Sequence, residues 1–288
     1  MFKAILNCLK IKHYVKNLVV FIPLIFSLKF FSIKSILLSV VAFIAFCFIA
    51  SAVYVFNDIW DVNNDKSHPI KKKRPIASGT IPIFDAWVLF VVLMLCSVLI
   101  SLYINTYVLL AVVLYLLLNI WYSVQLKFIP IIDVVCIALG FILRILVGCG
   151  VILVIPSSLV ILLTFFTSMF FTFSKRKLEY NLIRDKKGCR KSIKEYTEPL
   201  LNQFVTINAV LSIAFYFTYM LDPSTIQRTG TEYLYITVIP FSIVVFRLLF
   251  KTYTCSDNDD PAEFIYKDKM LKVLMLLYLI ILLIVLFI

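Results

Sequence analysis

The sequence predicts an all-α integral membrane protein with about nine transmembrane helices, and two observations lead to this prediction. First, 62% of the 288 residues are hydrophobic and only 15% are charged, which is more apolar surface than a soluble domain of this size needs. Second, apolar runs that cross a bilayer, or nearly cross it, recur along the whole chain. The runs cover about residues 17–32, 35–56, 82–104, 106–122, 129–152, 156–174, 201–221, 232–250 and 270–288.

The connections between these runs alternate in charge. The lysines and arginines lie in the N-terminal segment, in a connection after an even-numbered run, or at the edge of such a connection. The four exceptions are Lys29, Lys34, Arg144 and Arg228. By the positive-inside rule, the N-terminus and the cation-rich connections lie on the cytoplasmic side of the cell membrane, and the C-terminus lies outside. The same distribution indicates that the net charge of +12 does not serve to bind nucleic acid, because the cations lie in short connections between spans.

The N-terminal segment and the cysteines give simpler predictions. Residues 1–16 are half apolar and carry Lys3, Lys10, Lys12 and Lys16, which indicates an interfacial amphipathic helix and no cleavable signal. The seven cysteines are scattered, and no two stand at the spacing of metal ligands. We therefore interpret them as apolar fillers or free thiols and not as a zinc or disulfide framework.

The connection at residues 57–80 carries the strongest chemical signal. Asp58, Asp61 and Asp65 follow Asn57 at offsets that place all three carboxylates on one face of a helix. Closely spaced carboxylates beside a membrane need neutralisation, and Mg²⁺ would supply it while sharing its shell with substrate phosphates. The cations that follow would bind those phosphates; they are Lys71, Lys72, Lys73 and Arg74. The alternative interpretation is an interfacial helix end with a solvated charged loop.

A second dense connection, residues 174–200, falls on the same predicted membrane face. It begins with Lys175, Arg176 and Glu179, which alone are typical of a basic span flank with a helical ion pair. Arg190, Lys191, Ser192 and Tyr196 follow in a segment that resembles an amphipathic surface helix. The connection at residues 251–269 has acidic residues scattered around a proline, and we interpret it as solvated.

Charges and polar groups also occur within or beside the spans. Asp133 and Arg144 lie eleven residues apart, about 16 Å along a helix, and therefore on one face but out of direct contact. Since charges at membrane depth usually face a cavity or a partner, we interpret them as two separate points on a lined cavity, with a structural buried pair as the alternative. Tyr122 and Lys127 end the fourth run, where interface anchoring alone would explain them.

These residues resemble the UbiA-type intramembrane prenyltransferase superfamily, whose first motif N-D-x-x-D-x-x-x-D is matched by Asn57, Asp58, Asp61 and Asp65. The superfamily's second Asp-rich motif is absent, and Lys175, Arg176 and Glu179 stand in its place. This departure fits the branch of decaprenyl-phosphate phosphoribosyltransferases. The further matches to that branch are Lys16-Asn17, His68-Pro69, Lys71-Lys72, Arg74-Pro75-Ile76-Ala77, Gly79, Tyr122-Ser123, Leu126-Lys127, Asp133, Arg144, Arg190-Lys191-Ser192 and Tyr196-Thr197.

The resemblance implies a single catalytic transmembrane domain over residues 1–288, with nine helices around a central cavity and cytoplasmic loops over it. It implies Mg²⁺-dependent transfer of 5-phosphoribose from phosphoribosyl pyrophosphate to a polyprenyl phosphate, as for a cell-wall glycan precursor. Asp58, Asp61 and Asp65 would form the catalytic metal site. The substrate-binding residues would be Lys16, Asn17, Asn57, Lys71, Lys72, Arg74, Tyr122, Lys127, Asp133, Arg144, Lys175, Arg176, Glu179 and Arg190.

Two other functions remain open on the sequence. A prenyltransferase that moves a prenyl group from its diphosphate to an aromatic acceptor shares the fold, the metal and the first motif, but the basic second connection argues against it. A transporter also accommodates nine spans, but no inverted repeat or Gly/Pro-interrupted pair of helices is evident. The sequence does not determine the oligomeric state, for which a homo-oligomer is one option. It also does not determine the length of the polyprenyl chain or the exact sugar-phosphate donor.

Overall fold

The computed structural model describes residues 2–67, 71–183, 193, 195–254, 264–265 and 267–287, and the regular structure within these segments is entirely helical. Eight of the described helices are long and apolar enough to cross a membrane. This confirms the predicted all-helical membrane fold, in which the count of nine spans was approximate.

The described α-helices differ widely in length, and five 3₁₀ segments connect them. The 3₁₀ segments are Ile11–Phe21, Lys29–Phe31, Lys71–Lys73, Leu126–Phe128 and Tyr233–Thr237. In chain order the α-helices are α1 (Phe2–Leu9), α2 (Ile22–Phe26), α3 (Ile33–Trp60), α4 (Val62–Ser67), α5 (Ile83–Ile104), α6 (Thr106–Val124), α7 (Ile132–Ile152), α8 (Ser158–Ile183), α9 (Glu198–Leu221), α10 (Pro223–Thr229), α11 (Val238–Thr254) and α12 (Lys269–Phe287).

The first predicted span, residues 17–32, is not one α-helix. It consists of the end of the first 3₁₀ segment, the short helix α2 and a second 3₁₀ turn. Pro23 lies at the start of α2. Because proline has no amide hydrogen and its ring clashes with the carbonyl group four residues earlier, an α-helix can begin at this position, and one that ran through it would be kinked or broken.

Chain contacts divide the protein into two compact units. Unit 1 contains residues Met1–Lys127 and Ile142–Pro156, and unit 2 contains Phe128–Phe141 and Ser157–Ile288. The division therefore falls within α7. In unit 1, α3 packs against α5 and α6 around an apolar core that includes Phe46, Ile49 and Val112.

Polar groups and a close backbone approach fix the part of α7 that belongs to unit 1. Asn105 accepts a hydrogen bond from Val108 N–H (2.9 Å), which caps α6, and its amide donates to the Gly150 carbonyl (2.8 Å). A methyl group at Gly148 would overlap the Val20 carbonyl oxygen, so the first 3₁₀ segment and α7 approach more closely here than a side chain permits.

Unit 2 is built around the pairing of α8 with α9; α11 packs against both, and α12 packs against α11. Phe170, Phe173, Leu201, Val205 and Leu271 are buried in its core. Its interior also holds three hydrogen-bonded hydroxyl groups. The hydroxyl of Tyr216 lies 2.8 Å from Thr237 Oγ1 and 3.0 Å from the hydroxyl of Tyr278. These hydrogen bonds satisfy side chains whose burial would otherwise be costly.

Candidate active site

The three aspartates of the first motif lie where α3 gives way to α4. Asp58 is in the last turn of α3, Asp61 occupies the break between the helices, and Asp65 is in α4. The prediction of one continuous helix face is therefore wrong. Asp61 has φ −89° and ψ 7°, a conformation that ends α3, and its carboxylate has a different partner from the other two.

Asp58 and Asp65 converge on a single cation. Both residues are 3% exposed. Arg74 Nη1 donates to Asp58 Oδ1 at 3.0 Å and to Asp65 Oδ2 at 2.8 Å, and Lys10 Nζ donates to the same Asp58 oxygen at 2.8 Å. Their burial is thus compensated by charge-assisted hydrogen bonds from within the chain.

Asp61 is bound separately by Lys127. Nζ of Lys127 lies 2.6 Å and 2.7 Å from the two carboxylate oxygens of Asp61. Lys127 is 5% exposed, so it is not an interface anchor at the end of a span. The structure therefore brings Asp58 and Asp65 together and turns Asp61 toward a buried lysine.

The Asp58 and Asp65 pair fits a hard divalent cation. Two carboxylate oxygens that converge on one positively charged nitrogen form an all-oxygen donor set, and Mg²⁺ is usually held by one or two carboxylates together with substrate phosphates. Within the described ranges, no group of three or more His, Cys, Asp or Glu side chains is arranged around a metal position. Asp58 and Asp65 thus offer two converging oxygens, and Mg²⁺ would take the position that Arg74 Nη1 has in this conformation.

The N-terminal segment contributes Lys10, which the sequence did not single out for a role in the site. Lys10 has a left-handed backbone (φ 51°), so the chain turns sharply after α1. Ser51 donates to the Leu9 carbonyl and hydrogen-bonds the hydroxyl of Tyr14, each at 2.8 Å, which fixes this turn against α3. Burial and then the charge of Asp58 raise the pKa of the neighbouring Cys8 thiol to about 11.

Arg144 lies in the interior of unit 1 among polar and aromatic side chains. Its Nε donates to Asn17 Oδ1 at 3.0 Å, and Nη2 donates to the hydroxyl of Tyr115 at 3.2 Å. The guanidinium also lies 4.9 Å from the ring centre of Phe46, within cation–π range. Asn17 in turn donates to Cys47 Sγ at 3.3 Å, so two predicted site residues, Asn17 and Arg144, form one buried network.

Unit 2 contains a second charged cluster, centred on Arg176 of α8. Nε of Arg176 donates to Asp133 Oδ2 at 2.9 Å, and Nη1 donates to Glu179 Oε2 at 2.7 Å. Asp133 is fully buried at the start of α7, and Arg176 is 1% exposed. The guanidinium is thus enclosed by two carboxylates, although a basic span flank would be expected to expose it.

Tyr196 also contacts the start of α7. Its hydroxyl accepts a hydrogen bond from Ile131 N–H at 2.5 Å. Ile131 has φ 68°, which is rare for a β-branched residue and needs support from its surroundings. Burial is the largest cause that raises the pKa of Tyr196, to about 12, so its hydroxyl stays protonated at neutral pH. Arg176 and Tyr196 therefore bind Asp133 and Ile131, which lie two residues apart at the start of α7.

The remaining predicted residues lie in different environments. Lys72 is exposed, and Lys16, Asn57, Lys71, Tyr122 and Lys175 are half-buried. Arg190, together with Lys191, Ser192 and the His68-Pro69 pair, lies outside the described residues, as do the acidic residues predicted to be solvated at 257–263. Lys177, which the sequence did not single out, is buried, and its Nζ lies 2.9 Å from the ring centre of Tyr253.

The sequence matches one protein family over most of its length. Residues 18–280 match the model of the UbiA prenyltransferase family. The chain is 33% identical over 279 residues to the decaprenyl-phosphate phosphoribosyltransferase of Corynebacterium glutamicum, covering 95% of this chain and 83% of that protein. It is 31% identical over 249 residues to the protein of the same name from Mycolicibacterium smegmatis, covering 82% and 76%. These matches confirm the resemblance inferred from the motifs.

Solved structures agree on the fold. A UbiA homologue from Archaeoglobus fulgidus bound to GPP and Mg²⁺ superposes with a TM-score of 0.70 at 15% identity, covering 99% of this chain and 100% of that chain. A structure of digeranylgeranylglyceryl phosphate synthase gives a TM-score of 0.68 at 20% identity, covering 99% and 98%. At these identities the likeness shows a shared fold.

Proposed function

The chain belongs to the UbiA prenyltransferase family, a family of membrane enzymes, and from this we propose that it transfers 5-phosphoribose from phosphoribosyl pyrophosphate to a polyprenyl phosphate. The observation that carries the proposal is the 33% identity, over 95% of the chain, to a relative named decaprenyl-phosphate phosphoribosyltransferase. The protein is a multi-pass membrane protein. We place it in the cell membrane as a single catalytic domain, with residues 57–80 and 174–200 on the cytoplasmic side.

In the proposed reaction, an oxygen of the lipid phosphate forms a bond to C1 of the ribose while the bond between C1 and the pyrophosphate oxygen breaks. Positive charge develops at the anomeric carbon, as in glycosyl transfer generally. The attacking lipid phosphate is already anionic, so no strong general base is needed. Catalysis then depends mainly on positioning and on neutralisation of the phosphates.

The site residues divide into two roles in this proposal. Asp58 and Asp65 would hold Mg²⁺, which when bound neutralises charge on the leaving pyrophosphate. Asp61 remains a candidate ligand if Lys127 releases it. The cations proposed to contact the donor and acceptor phosphates are Lys16, Lys71, Lys72, Arg74, Lys127, Arg144 and Lys175.

Arg176 has a different proposed role from these cations. Because two carboxylates enclose its guanidinium, we assign Arg176, with Asp133 and Glu179, to orienting the end of α8 next to Lys175. Asn17, Asn57 and Tyr122 complete the proposed substrate-binding set as neutral polar groups, and Arg190 belongs to it by motif alone.

A label-transfer assay tests the proposal. Purified protein is incubated with Mg²⁺, decaprenyl phosphate and phosphoribosyl pyrophosphate labelled in the ribose, with and without EDTA. Metal-dependent label in the organic phase is the expected result. An active preparation that leaves the lipid unlabelled across several polyprenyl phosphates, but transfers a prenyl group from a prenyl diphosphate, would reassign the protein to the aromatic prenyltransferases.

Substitution of the carboxylates tests the metal assignment. Asp58→Asn should abolish turnover and leave the circular dichroism spectrum of the protein unchanged, because the amide is a poor ligand for Mg²⁺. Asp85→Asn, in the first turn of α5, is the matched control and should retain activity. Near-normal turnover in Asp58→Asn and Asp65→Asn would remove this pair from the metal site.

A further inference from the structure

A cationic pocket adjoins the carboxylate site in unit 1. The cavity measures about 560 Å³ and lies between the turn after α1 and the 3₁₀ segment Lys71–Lys73. Its volume is within the range of small-molecule sites, about 300–1,000 Å³. The polar residues that line it are Asn7, Lys10, Lys12, His13, Lys73 and Arg74, and no carboxylate is among its described lining residues.

Two of these cations connect the pocket to the aspartates. Lys10 and Arg74 line the cavity, and their side chains end on Asp58 and Asp65 at distances of 2.8–3.0 Å. The pocket and the carboxylate pair are therefore neighbours that share two side chains. With Mg²⁺ on the carboxylate pair, as proposed above, a ligand that bridges them would carry one anionic group on each side.

The other two cations hold positive charge on the outer side of the pocket. Lys12 and Lys73 are exposed, and neither forms an ion pair within the part of the chain that the structure describes. They come from segments far apart in the sequence, and both line the same cavity. Lysine ammonium groups and a histidine ring are ordinary ligands for a phosphate group, since each offers N–H donors.

The wall formed by the N-terminal segment is held in place. His13 N–H donates to the Lys10 carbonyl at 2.8 Å, and the His13 ring packs on Tyr54 with 5.4 Å between ring centres. Lys10 Nζ also lies 4.9 Å from the Tyr54 ring centre. Rigid placement of the donors lowers the entropy cost of ordering them around a ligand.

We propose that this pocket binds a phosphate monoester, which in the donor substrate is the 5-phosphate of the ribose. The inference rests on the proposed function, because phosphoribosyl pyrophosphate carries a pyrophosphate and a separate phosphate joined by one ribose ring. The pyrophosphate lies on the side of Asp58 and Asp65, and the 5-phosphate lies between Lys12 and Lys73. Donor selectivity for a 5-phosphorylated sugar then resides in the N-terminal segment.

Direct binding measurements test this pocket apart from turnover. Dissociation constants are measured for phosphoribosyl pyrophosphate, ribose 5-phosphate and inorganic pyrophosphate with wild type and with the Lys12→Gln/Lys73→Gln double variant. The double variant should bind the first two ligands about tenfold more weakly and pyrophosphate nearly as well as wild type, since two solvent-exposed charge pairs with the phosphate are lost. Lys66→Gln, an exposed lysine on the adjacent α4, is the matched control.

Three other outcomes overturn the assignment, and a fourth separates it from the proposed function. Equal loss for all three ligands would mean that the lysines act through the general field and not at the 5-phosphate. A change confined to KM for the polyprenyl phosphate would assign the pocket to the phosphate of the lipid acceptor. If wild type binds ribose 5-phosphate and the double variant binds it equally well, the pocket has no such role. If wild type shows no transfer of labelled ribose, the proposed function fails. The dissociation constants of ribose 5-phosphate for wild type and the double variant still show whether the pocket binds a phosphate monoester.

Discussion

Replacement of Arg176 by methionine tests whether this residue positions the end of α8 or contacts the substrate. Arg176 is 1% exposed and holds the fully buried carboxylate of Asp133 at 2.9 Å. Methionine preserves much of the aliphatic length of the side chain but removes the charge, so the variant leaves a carboxylate buried without the cation that faces it. We expect the folded protein to be destabilised and the apparent affinity for either substrate to change little.

The magnitude follows from the two ion pairs. Removing one partner of a buried pair costs about 3–5 kcal/mol, because the remaining charge is left uncompensated in a medium of low polarity. The pair with Glu179 adds less, since Glu179 is 31% exposed and exposed pairs contribute about 0–1 kcal/mol. The total of about 3–6 kcal/mol corresponds to a fall in melting temperature of roughly 6–24 °C.

The assay is a double-mutant cycle read by thermal unfolding in detergent. Arg176→Met should be far less stable than wild type, and Asp133→Asn/Arg176→Met should recover part of the loss, because both charges of the buried pair are then removed. A coupling energy of about 1–3 kcal/mol between the two positions is expected. Glu179→Gln serves as the control for the exposed partner and should lower the melting temperature only slightly.

Kinetics supply the result that would refute this reasoning. A positioning residue changes stability and kcat but leaves KM for phosphoribosyl pyrophosphate and for polyprenyl phosphate near wild type. If Arg176→Met keeps its melting temperature and instead raises KM for one substrate severalfold, Arg176 contacts that substrate. The buried triad would then be a resting arrangement that opens on binding.

Three further predictions concern other parts of the chain. Lys127→Met should destabilise the protein by about 1–3 kcal/mol by removing both hydrogen bonds to its aspartate, and Lys127→Arg should retain most of the stability, as measured by denaturant titration. Gly148→Ala should cost about 1–3 kcal/mol because the methyl group meets the Val20 carbonyl oxygen, whereas Gly150→Ala, which meets mainly side-chain atoms at 3.3 Å, should cost less in the same titration. Burial opposes ionisation of Asp268, but hydrogen bonds from a backbone N–H, an arginine and a lysine outweigh it and lower its pKa to about 2. A carboxylate with a depressed pKa stabilises the fold above its unfolded pKa of about 3.9, so Asp268→Asn should lower the melting temperature at pH 7. The difference between variant and wild type should vanish as the pH falls from about 4 toward 2.

The sequence predicted the elements whose signals are local. Hydropathy alone located the helices that became α3, α5 and the later spans, because each contains a long uninterrupted apolar run. It overestimated the regularity of residues 17–32, since the average over the run hides the effect of Pro23 on the backbone. The spacing of the aspartates identified the candidate site, although the break at Asp61 separates them into a pair and a single residue.

The partners of those aspartates could not be predicted from the sequence. Lys10 and Asp58 are 48 residues apart, and Lys127 and Asp61 are 66 apart, so no local pattern connects them. Each lysine had an adequate local explanation, one as part of an interfacial helix and the other as a span-end anchor. Only tertiary packing, which buries a side chain and imposes a partner on it, distinguishes these lysines from the cations that remain exposed, such as Lys12.

The two contacts at the start of α7 have a consequence for how the chain between α8 and α9 tolerates change. Arg176 is bound to Asp133 and Tyr196 to Ile131, so both ends of that stretch are anchored two residues apart on the same helix start. Closing a chain segment between two anchored ends costs entropy that depends only weakly on its length, about 0.6 kcal/mol for each doubling. Insertion of a peptide tag, or cleavage of the chain between these anchors, should therefore leave α8 and α9 docked on each other.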